Sequence, residues 1–287
     1  AAIVAVYACI GIADSIGWFD PQTQERRTLV DALFERPKER TYSAPLAGIT
    51  TGEPKPQPLR GKHILGTDSV GADVLYRTLK GVRTAFLIAG TTTVLVIPVA
   101  LALGMTGGYY GRWRDDLIAY AYTVLASIPG ILLQVALVLV LGKGVFQICI
   151  ALGVTRWVGL CRLVRGETIK HRDREYVRAA KALGVADTQI LFRHILPNLL
   201  PVVIISSTLG FSGLILSEAI LSYLGVGVPD NIGSWGNMID GARDELARDP
   251  VIWWNLAAAS GAITGLALSL NLLGDSLRDA VDPRLRS

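Results

Sequence analysis

The chain has 287 residues, 51% of them hydrophobic, with a mean hydropathy of +0.42. That is too apolar for an ordinary soluble domain and places the chain among integral membrane proteins. The net charge of +4 is too modest to mark a nucleic-acid partner, so where the charges fall matters more than their total.

A helix needs about 20 largely apolar residues to cross a bilayer. The first segment, 1–17 (AAIVAVYACIGIADSIG), is shorter than that and begins without Met. It reads as the remainder of a first spanning helix. The alternative is a cleaved signal peptide, although no positive n-region is visible. The connection 18–83 is polar and Pro-rich, notably TTGEPKPQP (50–58), and reads as extended. Its end is better ordered: Asp68 or Ser69 can cap a helix carrying Val70, Val74 and Leu75 on one face.

Five apolar stretches follow, at 84–104, 117–141, 145–164, 199–226 and 251–273. With the first segment they predict an all-α integral membrane protein of six transmembrane helices. Pro98 and Pro129 lie inside spans, where kinks are tolerated. Gly104 with Gly108, and Gly107 with Gly111, either allow close helix packing or simply end a helix. Cys9, Cys149 and Cys161 fit no metal motif and read as small core residues. His63, His171 and His194 are too scattered for a metal site and read as surface residues.

Segment 165–193 carries seven Lys/Arg, whereas the loop 227–250 carries five acids and two Arg. The positive-inside tendency puts the first in the cytoplasm and the second outside, with both termini cytoplasmic. Arg112 and Arg114, and Arg278, Arg284 and Arg286 in the tail, agree. The 18–83 connection strains the rule with eleven Lys/Arg, but roughly 66 residues is near the length at which loop charge stops steering orientation.

Several polar residues fall in apolar stretches. Gln134 can line a pore or bond a neighbouring helix. Arg156 can face a watery path or pack near a carbonyl, and Arg162 can snorkel to an interface. Glu218 is a pore candidate because a membrane acid is functional by default, although a structural hydrogen-bond role is the stronger reading. Trp253 and Trp254 read as interfacial anchors. The loop 233–250 can form a short helix on the outer face or serve as a solvated connector.

The stretch 165–198 is ordered, basic and flanked by apolar segments. Arg165 to Leu183 is rich in helix formers, Gly184 suits a C′ position, Asp187 can cap a second short helix, and Pro197 ends it. Ala179 and Ala180 are small enough for another surface to approach closely. Either a partner grips this segment or it lies on anionic lipid headgroups.

Residues 179–198, AAKALGVADTQILFRHILPN, resemble the ATPase-contacting loop of binding-protein-dependent ABC importer permeases. That pattern runs Glu-Ala-Ala, three residues, Gly, nine residues, Ile-x-Leu-Pro. Ala179, Ala180, Gly184, Leu196 and Pro197 match, while Arg178 and His194 replace the Glu and the Ile. Glu175, one turn earlier, is the available acid. LGTDSVGADVLYRTLKGVRTAF (65–86), SEAILSYLGVGVPDNIGSWGNMI (217–239) and NLLGDSLRDAVDPRLR (271–286) resemble further blocks of the dipeptide/oligopeptide/nickel branch, C-type subunit.

The resemblance implies the ABC type I importer permease fold in a bacterial inner membrane, with a long external loop after helix 1. It implies a coupling site around Glu175, Arg178, Ala179, Ala180, Gly184, Asp187, Leu196 and Pro197. Asp68, Asp73 and Trp235 become candidates for docking a solute-binding protein. The implied partners are a second homologous permease subunit, two cytoplasmic ABC ATPases, that binding protein and membrane lipid. No cofactor or metal is expected in this chain, since it has no G-x-x-x-x-G-K-[ST] loop and ATP and Mg would sit on the ATPases. Peptides are the default cargo, with nickel chelates or glutathione as alternatives. An intramembrane enzyme lacks any HExxH support. A secondary transporter would show more intramembrane polar residues or inverted repeats.

Overall fold

The computed structural model describes residues 1–19, 26–49 and 62–281. The expected extended run 50–58 and the tail arginines Arg284 and Arg286 lie outside the described residues. Among the described residues four helices are long and apolar enough to cross a membrane: Val74–Tyr110, Val145–Arg172, Asp187–Tyr223 and Trp254–Ala280. Two shorter helices, Arg112–Ser127 and Gly130–Leu141, meet that test only as a pair and are bent by 87°. Helix α1 (Ala2–Ser15) has 14 residues, fewer than a span needs. Four spans, or five with the bent pair, thus stand where six were expected.

The apolar stretch 117–141, expected as one span with a kink at Pro129, is two helices that meet at that proline. Pro129 has no N–H, and it drives Ile128 to extended backbone (φ −92, ψ 131), which stops α4 (Arg112–Ser127) at Ser127. Helix α5 (Gly130–Leu141) then restarts with Leu132 and Leu133 donating to the Pro129 carbonyl. Pro98, by contrast, leaves α3 (Val74–Tyr110) continuous.

Two compact units partition the chain. The first comprises Ala1–Ala89, Leu141–Ile148 and Gly213–Ser269. Much of the 18–83 connection belongs to it, and the described part is folded rather than extended. Strand β1 (Gly17–Phe19) pairs antiparallel with β2 (Arg26–Thr28), Gly17 opposite Thr28. A capping box opens α2 (Leu29–Phe34): Asp31 N donates to Thr28 Oγ1, and Thr28 N donates to Asp31 Oδ2. Strands β3 (Ala47–Gly48) and β4 (Lys62–His63) pair likewise. Helix α3 begins at Val74, ten residues before the expected span, and Asp73 rather than Asp68 or Ser69 caps it, its Oδ1 accepting from Tyr76 N. This early start carries Arg77, Lys80 and Arg83 on a helix, each beside a carboxylate: Asp68 for Arg77, Asp14 and Asp31 for Lys80, and Asp14 for Arg83. Helix α10 (Trp235–Leu246), capped by Ser234, buries Trp235, Met238, Ala242 and Glu245, so residues 235–246 are not a solvated connector. Cys9 is exposed, not a core residue; α1 leaves that side open.

Burial works against the Asp31 carboxylate. Hydrogen bonds from Lys80, the Thr28 amide and Tyr76 outweigh it and hold its pKa below the ordinary 3.8. A depressed folded pKa stabilises the fold above the ordinary value, and that contribution is lost as pH falls through 3.8 towards the lower folded value.

The second unit comprises Gly90–Val140, Cys149–Ser212 and the chain from Leu270. Here α3 meets α6 (Val145–Arg172) at two glycines. A Cβ on Gly104 would lie 2.8 Å from Cys161 O and the Val164 side chain, and one on Gly108 would lie 2.7 Å from Arg165 O. The Gly104/Gly108 pair therefore packs helices rather than ending one. Arg165 adds a two-pronged bond to Asp115 of α4, Nε to Oδ1 at 2.5 Å and Nη2 to Oδ2 at 2.6 Å. Arg162 is exposed and stacks its guanidinium over Tyr122, 4.7 Å from the ring centre. Val177, Ala180, Ile190 and Ile195 join Ala100, Cys161 and Val164 in one buried cluster.

We expect Gly104→Ala to destabilise the purified protein by about 1–3 kcal/mol, because helix backbone must move to admit the methyl. Gly166→Ala, where a Cβ meets open space, should be neutral or slightly stabilising. Thermal unfolding in detergent compares them. In the same assay Asp31→Asn should flatten the loss of stability on acidification towards pH 3.

Candidate coupling segment and cavities

The basic stretch folds as helix, turn and helix. Helix α6 ends at Arg172 with Lys170, His171 and Arg172 in its last turn, cations that suit a helix carboxyl end. The expected single helix from Arg165 to Leu183 is interrupted, because Arg174 adopts extended backbone (φ −72, ψ 150) and starts α7 (Glu175–Ala182) as its N-cap. Helix α7 buries Val177 and Ala180 and exposes Glu175, Arg178 and Ala179.

Gly184 then turns the chain at φ +78, a conformation side-chain-bearing residues rarely adopt. The turn is a Schellman motif: Val185 N donates to Ala180 O (3.1 Å) and Gly184 N to Lys181 O (3.0 Å). Beside it Leu183 is 84% exposed and Phe192 65%, large apolar side chains left uncovered among the described residues. Both lie near the exposed Ala179 in sequence, and all three are short of polar atoms.

Asp187 does not cap the next helix as expected. Ala186 holds the N-cap position of α8 (Asp187–Gln189), and the Asp187 carboxylate instead accepts from Tyr109 OH at 2.6 Å. Lys181 Nζ lies 4.6 Å from the centre of the Tyr109 ring. Arg172 Nη1 donates to the carbonyls of Gly108 (3.2 Å) and Tyr109 (3.4 Å), which closes the carboxyl end of α3. Tyr176 OH is 2.8 Å from His171 Nδ1, and burial pushes the Tyr176 pKa up.

Nor does Pro197 break the run. Residues Ile190–Ile195 form a π-turn that leads into α9 (Leu196–Tyr223), so Asp187–Tyr223 is one continuous helical course. A proline removes one donor and crowds the carbonyl four residues back. The wider turn relieves that: Leu196 N reaches back to Leu191 O, and Asn198 Nδ2 takes the His194 carbonyl at 2.6 Å. Leu196 is half-buried and Pro197 exposed.

The pore candidates separate. Gln134 is buried and donates to Thr155 Oγ1 at 3.0 Å, a bond between helices. Arg156 lines a cavity of about 300 Å³ with Leu125, Ile128 and Gly159. Glu218 is buried and accepts from Ser222 Oγ (2.8 Å) and Ser234 Oγ (2.7 Å), which ties α9 to the start of α10.

The three docking candidates are all interior. Asp68 accepts from Val70 N and Ala72 N and pairs with Arg77. Asp73 caps α3 and lies 2.8 Å from His63 Nδ1. Trp235 is fully buried over Gly81 and donates to Thr78 O at 2.8 Å. These residues shape the loops and offer no surface of their own. His63, expected at the surface, is wholly buried between Asp73 and Glu39. Trp254, expected as an anchor, is buried and donates to Thr67 O at 2.8 Å, while Trp253 is exposed. The sequence reading missed Tyr109 because an aromatic residue at a helix end looks like packing; its only signal is Asp187, 78 residues away.

Tyr109→Phe should remove about 1 kcal/mol of local stability. Amides of 184–190 should then exchange faster with deuterium while those in mid-α3 stay protected. Gly184→Ala should cost about 1–2 kcal/mol through backbone strain alone, since its surroundings are open.

Residues 97–287 match the family model described as binding-protein-dependent transport system inner membrane component. The oligopeptide transport system permease protein OppC of Bacillus subtilis is 36% identical over 78% of this chain and 72% of its own length. The dipeptide permease DppC of Alkalihalophilus pseudofirmus is 35% identical over 79% and 73%, and the glutathione permease GsiD of Pectobacterium atrosepticum 38% identical over 78% and 74%. Among solved structures, an inward-facing MetNI methionine ABC transporter chain superposes with a TM-score of 0.59 at 17% identity, over 72% of this chain and 97% of that one, a likeness of fold. The chain belongs to the family of binding-protein-dependent transport system inner membrane components, multi-pass proteins of the inner membrane.

Proposed function

We propose that this chain is the C-type permease subunit of an ATP-driven peptide importer. It forms half of a translocation pore with a second, homologous permease. A solute-binding protein delivers the peptide on one side, and two ABC ATPases power the cycle on the other. The coupling segment faces the cytoplasm in this reading, with both termini on the same side. Peptides are favoured because the oligopeptide and dipeptide permeases OppC and DppC are among the relatives. Glutathione, itself a small peptide, is the second cargo, favoured by the 38% identity to GsiD.

The observation that carries the coupling role is the exposed apolar surface around Ala179, Leu183 and Gly184. Leu183, 84% exposed at the tip of a hydrogen-bonded turn, suits insertion into a groove of another protein. The turn is held by the Schellman bonds and by Tyr109–Asp187, so a push on its tip moves the segment as a body. Glu175 and Arg178, one turn apart on the exposed side, flank the contact with charge.

The test uses the full complex in proteoliposomes. Gly184→Pro cannot reach φ +78, because proline is fixed near −65°. It should retain ATP hydrolysis and lose peptide uptake at least tenfold, and normal uptake would overturn the coupling role. Leu183→Asp should strip the ATPases from the purified permease pair; an intact complex would overturn the docking surface.

A further inference from the structure

A cleft of about 800 Å³ lies within the first unit. One face of α3 supplies a wall, with Tyr76, Lys80, Arg83 and Leu87 recurring at helical spacing. Asp14, near the end of α1, and the 230–233 loop supply the others. Asp14 is 1% exposed, and its two oxygens are treated differently. Oδ1 accepts from Thr28 Oγ1 at 2.7 Å and takes Lys80 Nζ at 2.7 Å. Oδ2 receives no hydrogen bond among the described residues. Arg83 Nη1 lies 4.0 Å from Oδ2, beyond hydrogen-bond reach, and that side chain is 42% exposed.

A buried carboxylate oxygen without a donor calls for a partner from elsewhere. Along the basic wall Arg77 is matched by Asp68 and Lys80 by Asp14 and Asp31, whereas Arg83 stands 4.0 Å from an Asp14 carboxylate oxygen. No group of three or more metal-ligating side chains occurs among the described residues, so one free oxygen suits an ammonium better than a metal ion. We propose that this cleft binds the free α-ammonium of a short peptide on Asp14 Oδ2, with Arg83 swinging off Asp14 to the peptide's carboxylate. The volume suits such a ligand. The inference rests on the peptide-import reading above.

The experiment is equilibrium binding to the complete permease–ATPase complex in nanodiscs, without the binding protein. The probes are trialanine, N-acetyl-trialanine and trialanine amide. Wild type should bind trialanine about tenfold or more tightly than the acetylated form, and Asp14→Asn should bring that ratio to about one. Arg83→Gln should weaken trialanine but not its amide, and it carries the test if the Asp14 variant fails to assemble. Equal wild-type affinity for free and acetylated peptide, no binding of either, an unchanged ratio in Asp14→Asn, or equal weakening of both peptides would each overturn the site. ATP-driven uptake with the binding protein present separates the two readings. Uptake without amine-selective binding sinks the site alone, and amine-selective binding without uptake sinks the import reading alone.

Discussion

The fixed point of the 172–190 segment is the carboxyl end of α3. Its last carbonyls are capped by Arg172 and its last turn is held to Asp187 by Tyr109. The geometry depends on Gly104 and Gly108, which let α6 approach α3 backbone to backbone. Larger residues there would push α6 outward, and Arg172 would no longer reach the Gly108 carbonyl. Dispersion at the close contact, the Asp115–Arg165 pair and the cap are thus one arrangement seen at successive turns of the same two helices.

The first unit solves a different problem, which is charge. An early-starting α3 places three cations along one helix, and the chain matches them with acids from α1, α2 and the Asp68 turn. Burial makes each mismatch costly, so the acids are held by several donors at once. This is why Asp68 and Asp73 are interior. A buried carboxylate that organises backbone amides cannot also face a partner. Asp14 is the exception, satisfied on one oxygen only.

Much of this was legible in the sequence. Long apolar runs have one favourable outcome in a bilayer, so the spans at Val145, Asp187 and Trp254 follow from hydropathy. Gly184 was legible because a glycine after a helix-forming run has a local use, which needs no tertiary contact. The rest depended on partners far along the chain. Pro98, Pro129 and Pro197 look alike in sequence, yet one leaves a helix intact, one breaks it by 87° and one is absorbed by a π-turn. Trp235 reads as a surface aromatic among glycines, because nothing local shows that Gly81 leaves room for its ring. His63 and Tyr109 are single polar residues whose partners come from distant stretches.

The π-turn at Ile190–Ile195 decides whether Asp187 and α9 belong to one helical course. Had Pro197 ended a short helix, a loop would have separated Asp187 from α9. The wider turn keeps the helical course running from Asp187 to Tyr223, although Pro197 and Pro201 within it donate no backbone hydrogen bond. Tyr109 grips this course at Asp187, and Glu218, in its final turns, grips Ser234. A continuous helix is a stiff rod and resists bending far more than a loop does. The sequence departs from the family pattern at Arg178, on the exposed face, and at His194, whose carbonyl serves the π-turn through Asn198. Neither departure touches the bonds that make the rod continuous.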